Sequence, residues 1–373
     1  MEKRPTTAII DLSALRYNYQ GLRKTLSPET KIMAIVKANA YGHGDIEVSR
    51  TLEKEGSDFF GVAIAEEGTR LRQAGIEKPV VVLGGIYPGQ IKEVFEHNLT
   101  PVVFDIDIAC LLDKEAAETG VVKNIHVKID TGMGRLGILP GDVESFFKRL
   151  KDFKNLKVEG VMSHFAEAEA EDWGFSNSQL NAFRECVECI KRLGITPDYI
   201  DMANSAAAVL YMESRLNLIR PGIMLYGSLP ARHLKEKFRI KPVMQLKTKI
   251  LKIKELESGC PVSYGRRFIT KRRSSIAIIP IGYADGLPRR LSDSGEVIVR
   301  GFRARIAGTV CMDLTMVDVT DVPGASVGDD VFIIGGAGKA RITAEEVADR
   351  AGTISYEILC GISRRVPRIY IET

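Results

Sequence analysis

The sequence predicts an α/β protein in which a (β/α)8 TIM-type barrel is followed by a mostly-β C-terminal domain. Through the first two-thirds of the chain, short apolar β-branched runs alternate with amphipathic stretches, which is typical of buried parallel strands and their covering helices. Beyond residue 236 the apolar pattern changes to a two-residue period, which indicates half-exposed strands. The length of 373 residues also exceeds the size at which single cores stop growing, so two domains are expected.

Eight apolar runs are the predicted barrel strands, and the number of strand and helix alternations matches this fold. They are Ile32–Val36, Phe59–Ile64, Val80–Leu83, Val102–Phe104, Ile125–Ile129, Val158–Met162, Tyr199–Met202 and Leu216–Ile219. Helical patterns lie between them at Asp45–Glu55, Ala65–Ala74, Pro88–His97 and Ser178–Leu193. A doubly wound open sheet is the alternative architecture, because it is built from the same alternation.

A charged, proline-containing stretch at Ser228–Lys241 has no sustained period and predicts the connection between the domains. We therefore predict a barrel over residues 9–235 and a β-rich domain over 236–373. The N-terminal segment 1–8 is a candidate to join the β-rich domain. The strand-like runs of the second domain are Met244–Ile250, Ser275–Ile279, Glu296–Val299, Met316–Val319 and Asp330–Ile334. One helix is predicted there, at Thr343–Ala351, where Thr343 and Glu346 form a capping-box pattern.

Composition and charge exclude several classes of partner. The net charge of +4 is too small to indicate binding to nucleic acid or to an anionic membrane. The N-terminal stretch lacks an apolar core for export, and no apolar run approaches the ~20 residues that span a bilayer, so we expect a cytoplasmic protein. Of the six cysteines only Cys186 and Cys189 lie close in sequence, so we expect buried free thiols and no metal site.

Lys37 is the first candidate for chemistry, because it follows a predicted barrel strand and precedes a loop that contains Gly42 and Gly44. Active sites of this fold lie at the C-terminal ends of the strands. A partly desolvated lysine there loses proton affinity, which favours the neutral amine that can attack a carbonyl carbon. A lysine that extends its charged end to solvent at the barrel rim fits the same pattern, so spacing alone leaves both interpretations open.

Seven motifs, in order along both predicted domains, resemble those of alanine racemases. They are Val36–Gly44, Asp130–Gly137, Ser163–Ala166, Arg220–Gly227, Ser263–Gly265, Pro280–Gly286 and Gly308–Asp313. One glycine-rich motif would carry little weight, but seven in order make a chance match improbable. The resemblance implies an enzyme that uses pyridoxal 5'-phosphate to interconvert L-alanine and D-alanine, the latter supplied for peptidoglycan.

The resemblance also implies which residues bind the cofactor. Lys37 would hold it covalently, and the other contacts would be Tyr41, His164, Asn204, Ser205, Arg220, Gly222, Ile223 and Tyr356. Arg220 would face the pyridine nitrogen and keep it unprotonated, because a guanidinium does not readily give up its proton. Without the resemblance, structural roles are favoured for these residues: Ser205 caps a helix, Tyr41 packs in a loop and His164 is a core histidine. Arg220 is then an ion-pair partner at the barrel rim.

Racemisation needs a base on each face of the α-carbon, and the resemblance assigns these roles to Lys37 and Tyr264. A phenol has a reference pKa of ~10, so Tyr264 needs nearby positive charge to act as a base at neutral pH. The candidates for that charge are Arg266, Arg267 and Arg289. From its Ser-Tyr-Gly turn alone, a surface packing role is favoured for Tyr264.

The substrate contacts that the resemblance implies are Arg135, Tyr283, Met312 and Asp313. Some members of the family carry a carbamylated lysine beside the arginine that binds the substrate carboxylate, and Lys128 occupies the matching position before Arg135. Because Tyr264 and Lys37 belong to different predicted domains, the resemblance implies a head-to-tail homodimer with shared active sites. Two alternatives stay open: a serine or broad-specificity amino-acid racemase, and a non-catalytic pyridoxal-phosphate-binding protein.

Overall fold

The computed structural model describes residues 4–231, 233–234, 238–337 and 340–372. The first strand, β1 (Thr7–Asp11), precedes a closed barrel whose eight parallel strands all lie within residues 31–219. These are β2 (Lys31–Ile35), β3 (Phe59–Val62), β4 (Val80–Val82), β5 (Thr100–Val103), β6 (Lys123–Lys128), β7 (Leu156–Met162), β8 (Tyr199–Asp201) and β9 (Leu218–Ile219). The predicted barrel is confirmed, and the open-sheet alternative is wrong because β9 pairs with β2 and closes the ring.

Helices cover the outside of the barrel. They are α1 (Leu12–Arg23), α2 (Asp45–Lys54), α3 (Ala65–Gln73), α4 (Ile91–Glu96), α5 (Ile106–Thr119), α6 (Val143–Leu150), α7 (Gly174–Arg192) and α8 (Ser205–Leu210). In α7 the buried residues Leu180, Phe183, Val187 and Ile190 recur at helical spacing, so one apolar face packs on the strands. The predicted helix at Pro88–His97 divides into a 3-10 turn, Pro88–Gln90, followed by α4.

A large, mostly antiparallel sheet forms the second part of the fold. Its strands are β10 (Met244–Lys249), β11 (Lys252–Leu256), β14 (Ser274–Ile279), β15 (Glu296–Val299), β16 (Phe302–Ile306), β17 (Thr315–Asp318), β18 (Asp330–Ala337), β19 (Ala340–Ile342) and β20 (Arg368–Ile371), joined by β1. The short strands β12 (Pro261–Val262) and β13 (Phe268–Ile269) pair separately. Ala8 of β1 lies opposite Leu246 of β10 and Arg368 of β20, so the N-terminal strand belongs to this sheet.

Two further helices, α9 (Ala344–Ala351) and α10 (Ser355–Cys360), follow β19. The Thr343 hydroxyl accepts the backbone N–H of Glu346 at 3.2 Å and so caps α9 as predicted. The Glu346 carboxylate, which the capping-box pattern directs at the backbone, is instead bound by Arg303 and Arg350. Helix α10 places Tyr356 beside the barrel, where its ring centroid lies 6.0 Å from that of Tyr41.

Three further predictions concern the connection, the thiols and the membrane. The predicted connection, 228–241, falls partly outside the described residues. All six cysteines are described and are free thiols, and Cys186 alone among them is buried. The expectation of buried thiols is therefore wrong for Cys110 and Cys360, which are exposed. Within the described ranges, no helix has both the length and the apolar character needed to cross a membrane.

Candidate active site

A cavity of about 470 Å³ opens at the C-terminal ends of the barrel strands. Its volume lies in the range of pockets that bind small molecules and cofactors. The residues that line it include Lys37, Tyr41, Lys128, Arg135, His164, Asn204, Ser205, Arg220, Gly222, Ile223 and Tyr356. The structure therefore brings together every predicted cofactor contact, the candidate carbamylated lysine and one of the predicted substrate contacts.

The chain makes a left-handed turn directly after Lys37. The four residues Ala38, Asn39, Ala40 and Tyr41 have φ angles of 53°, 56°, 52° and 53°. A non-glycine residue in this conformation costs roughly 1–2 kcal/mol, so the surrounding structure has to hold the turn. The N–H of Ala40 donates to the carbonyl of Val36 at 2.8 Å, which closes the turn behind the lysine. The sequence predicted only a loop with glycines here.

Four basic side chains, Lys37, Lys128, Arg135 and Arg220, line the cavity. Burial, followed by the charge of Arg135, lowers the pKa of Lys37. Burial and the neighbouring arginines lower the pKa of Lys128 to about 8. Burial, with Arg220 next in importance, holds the pKa of His164 well below its usual value, so the imidazole is neutral. The cavity therefore favours an anionic ligand while holding amines of reduced proton affinity.

One corner of the cavity is lined by hydroxyl and backbone N–H groups. The N–H of Gly222 donates to the Ser205 hydroxyl at 2.8 Å, whereas Asn204 caps α8 by accepting from Ala207. The cap interpretation of Ser205 is therefore wrong. A Cβ at position 222 would lie 2.5 Å from the Tyr41 hydroxyl oxygen, so only glycine fits this close approach. Burial raises the pKa of Tyr41, which keeps its hydroxyl protonated as a donor.

The Arg220 side chain forms an ion pair with Asp201, a residue that the sequence analysis did not single out. Arg220 also donates to the carbonyl of Ser163 at 2.5 Å, and it lies 3.3 Å from Nδ1 of His164. Arg220 and His164, two of the predicted cofactor contacts, therefore lie next to each other. Asp201 ends β8 and lies within the predicted strand Tyr199–Met202, and a carboxylate near the end of a buried barrel strand was the available signal.

Arg135 lies in a loop that a single carboxylate organises. One oxygen of Asp130 accepts the backbone N–H groups of Gly132, Met133 and Gly134, and the other accepts that of Arg135 at 2.8 Å. Burial alone would raise the pKa of Asp130, but these donors lower it, so the carboxylate stays charged. The loop backbone before Arg135 is therefore held close to the end of β6.

Tyr264 lies in a separate, open hollow of the β domain. The hollow is lined by Ser263, Tyr264, Cys311, Met312, Asp313, Leu314 and Met316, and among the described residues it shares none with the barrel cavity. The Thr309 hydroxyl donates to the carbonyl of Tyr264 at 2.9 Å and holds its backbone, while the side chain is 72% exposed. Within one chain, Lys37 and Tyr264 therefore belong to different sites.

The other predicted residues of the β domain lie near this hollow. The N–H of Tyr283 donates to the carbonyl of Cys311 at 3.0 Å, and Asp313 is bound by Arg365 at 2.6 Å. Of the three arginines proposed to act on Tyr264, Arg267 lies 3.6 Å from a carboxylate oxygen of Asp293. Which arginine acts on the phenol stays a prediction.

Comparison with known proteins extends over almost the whole chain. Residues 10–230 match the N-terminal domain of alanine racemases, and residues 243–370 match their C-terminal domain. An alanine racemase of Halothermothrix orenii is 45% identical over 367 residues, which cover 98% of this chain and 97% of that protein. An alanine racemase of Geobacter sulfurreducens is 46% identical over 376 residues, which cover 100% of this chain and 98% of that protein. The solved alanine racemase of Clostridium difficile 630 has a TM-score of 0.95 at 36% identity, and the match covers 100% of this chain and 97% of that one.

Proposed function

The chain belongs to the alanine racemase family, and from that membership we propose that it interconverts L-alanine and D-alanine with pyridoxal 5'-phosphate. The observation that carries the proposal is the barrel cavity, which combines a lysine of lowered pKa with a buried arginine and a hydroxyl-lined corner. We further propose that the D-alanine formed supplies peptidoglycan.

The donors present in the cavity fit the cofactor. Lys37 would hold it covalently, Arg220 would face the pyridine nitrogen, and its phosphate would be held by Tyr41, Asn204, Ser205, Gly222, Ile223 and Tyr356. Gly222 supports this assignment, because a side chain there would collide with Tyr41 and fill the corner. When bound, pyridoxal phosphate supplies an electron sink that acidifies the α-carbon of an amino acid.

Two residues would move the proton. The lowered pKa of Lys37 raises the fraction of neutral amine at physiological pH, which is the form that accepts the α-proton on one face. The phenol of Tyr264 would return or remove a proton on the opposite face. Arg135 would bind the substrate carboxylate from the barrel side. Met312 and Asp313 would approach from the β domain, with Met312 near that carboxylate, and Tyr283 would narrow the entrance.

Lys128 remains our candidate for carbamylation. Its pKa of about 8 leaves part of the amine neutral at physiological pH, and the neutral amine is the form that adds CO2 with release of a proton. The resulting carbamate anion would stand beside Arg135 in place of a second cation, which relieves like-charge repulsion in a partly buried site. Native mass spectrometry would detect the added CO2.

We propose a head-to-tail homodimer, because Tyr264 and the barrel cavity belong to different parts of one chain. The exposed aromatic ring of Tyr264 is a large apolar group without cover in the single chain. A second copy that placed its Tyr264 over the cavity would complete two identical sites.

The decisive experiment is incubation of L-alanine with purified protein and pyridoxal phosphate, followed by chiral chromatography. Racemic alanine is the expected product. A panel of serine and larger amino acids tests the broad-specificity alternative. Faster conversion of those substrates than of alanine would favour that alternative. Covalent cofactor capture without exchange of the alanine α-hydrogen in heavy water would instead indicate a cofactor-binding protein.

A further inference from the structure

Glu67, in the first turn of α3, connects the ends of two neighbouring barrel strands. One oxygen of its carboxylate accepts the backbone N–H of Ala38 at 2.7 Å. The other accepts the backbone N–H of Ala63, just beyond β3, at 2.8 Å. Because Ala38 directly follows Lys37, this carboxylate anchors the backbone one residue beyond the lysine that the proposed reaction uses.

We propose that Glu67 is a positioning residue for Lys37, because its carboxylate binds the first N–H of the left-handed turn directly after the lysine. The inference rests on the proposed function for its chemical meaning. Its structural content, which is a carboxylate that anchors the backbone next to one particular lysine, can be measured without any racemase activity.

The left-handed turn explains why such an anchor is useful. Ala38 begins a run of four residues with positive φ, a conformation that alanine and tyrosine disfavour and asparagine tolerates better. Hydrogen bonds to a charged acceptor are roughly twice as strong as those between neutral groups. The bond that Glu67 accepts from Ala38 therefore helps to offset the cost of the turn, and the bond that it accepts from Ala63 ties the turn to the end of β3.

Glu67 also acts on Lys37 through its charge. Burial and Arg135 lower the pKa of Lys37 most, Glu67 and Cys360 oppose them, and Arg220 lowers it further. The other titratable groups around the cavity are Lys128, His164, Glu169 and Tyr356. Removal of the Glu67 charge should therefore lower the pKa of Lys37, so that neutral amine appears at lower pH.

Three variants separate these contributions. E67Q removes the charge and retains one carbonyl acceptor, whereas E67A removes both hydrogen bonds. E66Q is the matched control, because Glu66 precedes Glu67 in α3 and its exposed carboxylate binds the side chain of Gln90 at 3.0 Å. The three variants and the original protein should be compared as full-length chains after removal of cofactor with hydroxylamine.

The test is the pH profile of Lys37 acetylation by acetic anhydride, followed by mass spectrometry of the peptide that contains Lys37. We expect the midpoint of E67Q to move to lower pH, while E66Q matches the original protein. E67A should show the same shift of the acetylation midpoint. When pyridoxal phosphate is added, the covalent attachment of the cofactor to Lys37 should be roughly tenfold slower in E67A than in the original protein.

A purely structural role would give a different result. If E67Q had the acetylation profile of E66Q and differed only in its urea midpoint, the inference would be wrong. If instead the original protein failed to racemise alanine but the E67Q profile still shifted, the inference would stand and the proposed function would fail.

Discussion

Asp201 and Arg220 form an ion pair whose side chains are 0% and 5% exposed. They are held next to each other because Asp201 ends β8 and Arg220 directly follows β9, the neighbouring strand. Burial and Arg135 lower the pKa of the Arg220 guanidinium. The adjacent Asp201 carboxylate compensates the buried positive charge. The cation proposed to face the cofactor thus depends on a carboxylate behind it.

The first prediction is that Asp201→Ala strongly destabilises the protein. Removing one partner leaves a buried charge uncompensated, so we expect a loss of about 3–5 kcal/mol in the free energy of unfolding. Urea unfolding of the cofactor-free protein measures it. The control is Asp198→Ala, which removes an exposed partner of Lys157 just before the same strand and should cost about 0–1 kcal/mol. Equal losses for both variants would contradict the prediction.

The second prediction concerns acid stability and Asp130. Its folded-state pKa is lowered, so its contribution to stability is fully present above its unfolded pKa of ~3.9 and is lost as pH falls through the folded value. Asp130→Asn should therefore be less stable than the original protein at pH 5 to 7, with the difference shrinking below about pH 4. Urea midpoints across this range measure it. A difference that grew towards acid would have the wrong sign.

The third prediction tests the left-handed turn. Ala38→Gly should stabilise the protein by about 1 kcal/mol, since glycine adopts positive φ without the steric cost that alanine meets. The same change at Ala182, in the middle of α7, should destabilise by about 1 kcal/mol. Opposite signs in urea unfolding are the expected result. Destabilisation by both variants would mean that the turn is not retained in solution.

The sequence predicts the barrel well and the turn poorly, for physical reasons. Runs such as Val80–Val82 are apolar throughout, so a local pattern identifies them as buried strands. The left-handed turn has no comparable local signal, since alanine normally avoids that conformation. The roles of Glu67 and Asp201 depend on contacts between residues of separate secondary-structure elements. Such contacts leave no mark in local spacing.

The fourth prediction is that Tyr264→Phe blocks racemisation while proton exchange on one face of the α-carbon continues. The variant lacks the proton donor and acceptor on the other face, so racemisation in both directions, which needs a proton transfer on each face, should fall by about 10²-fold or more. Cofactor binding should be retained, because the Tyr264 hollow is separate from the barrel cavity. Loss of the α-hydrogen to heavy water, measured separately for L-alanine and D-alanine, reveals the asymmetry, because only the enantiomer whose α-hydrogen faces Lys37 should keep exchanging. Tyr87→Phe, at an exposed tyrosine elsewhere on the barrel, should leave both rates unchanged.

The last prediction concerns shared sites between two copies. Lys37→Ala and Tyr264→Phe chains should each be nearly inactive in both directions, because every site in either homodimer lacks one of the two groups. After subunit exchange in an equal mixture, half of the dimers contain one chain of each kind. In a head-to-tail dimer, such a pair has one complete site and one that lacks both groups, so the mixture should recover about a quarter of the original racemase activity. If both groups came from the same chain, mixing would restore nothing, because no chain in the mixture carries both. Dilution adds an independent check, since the recovered activity should fall as the mixed dimers dissociate.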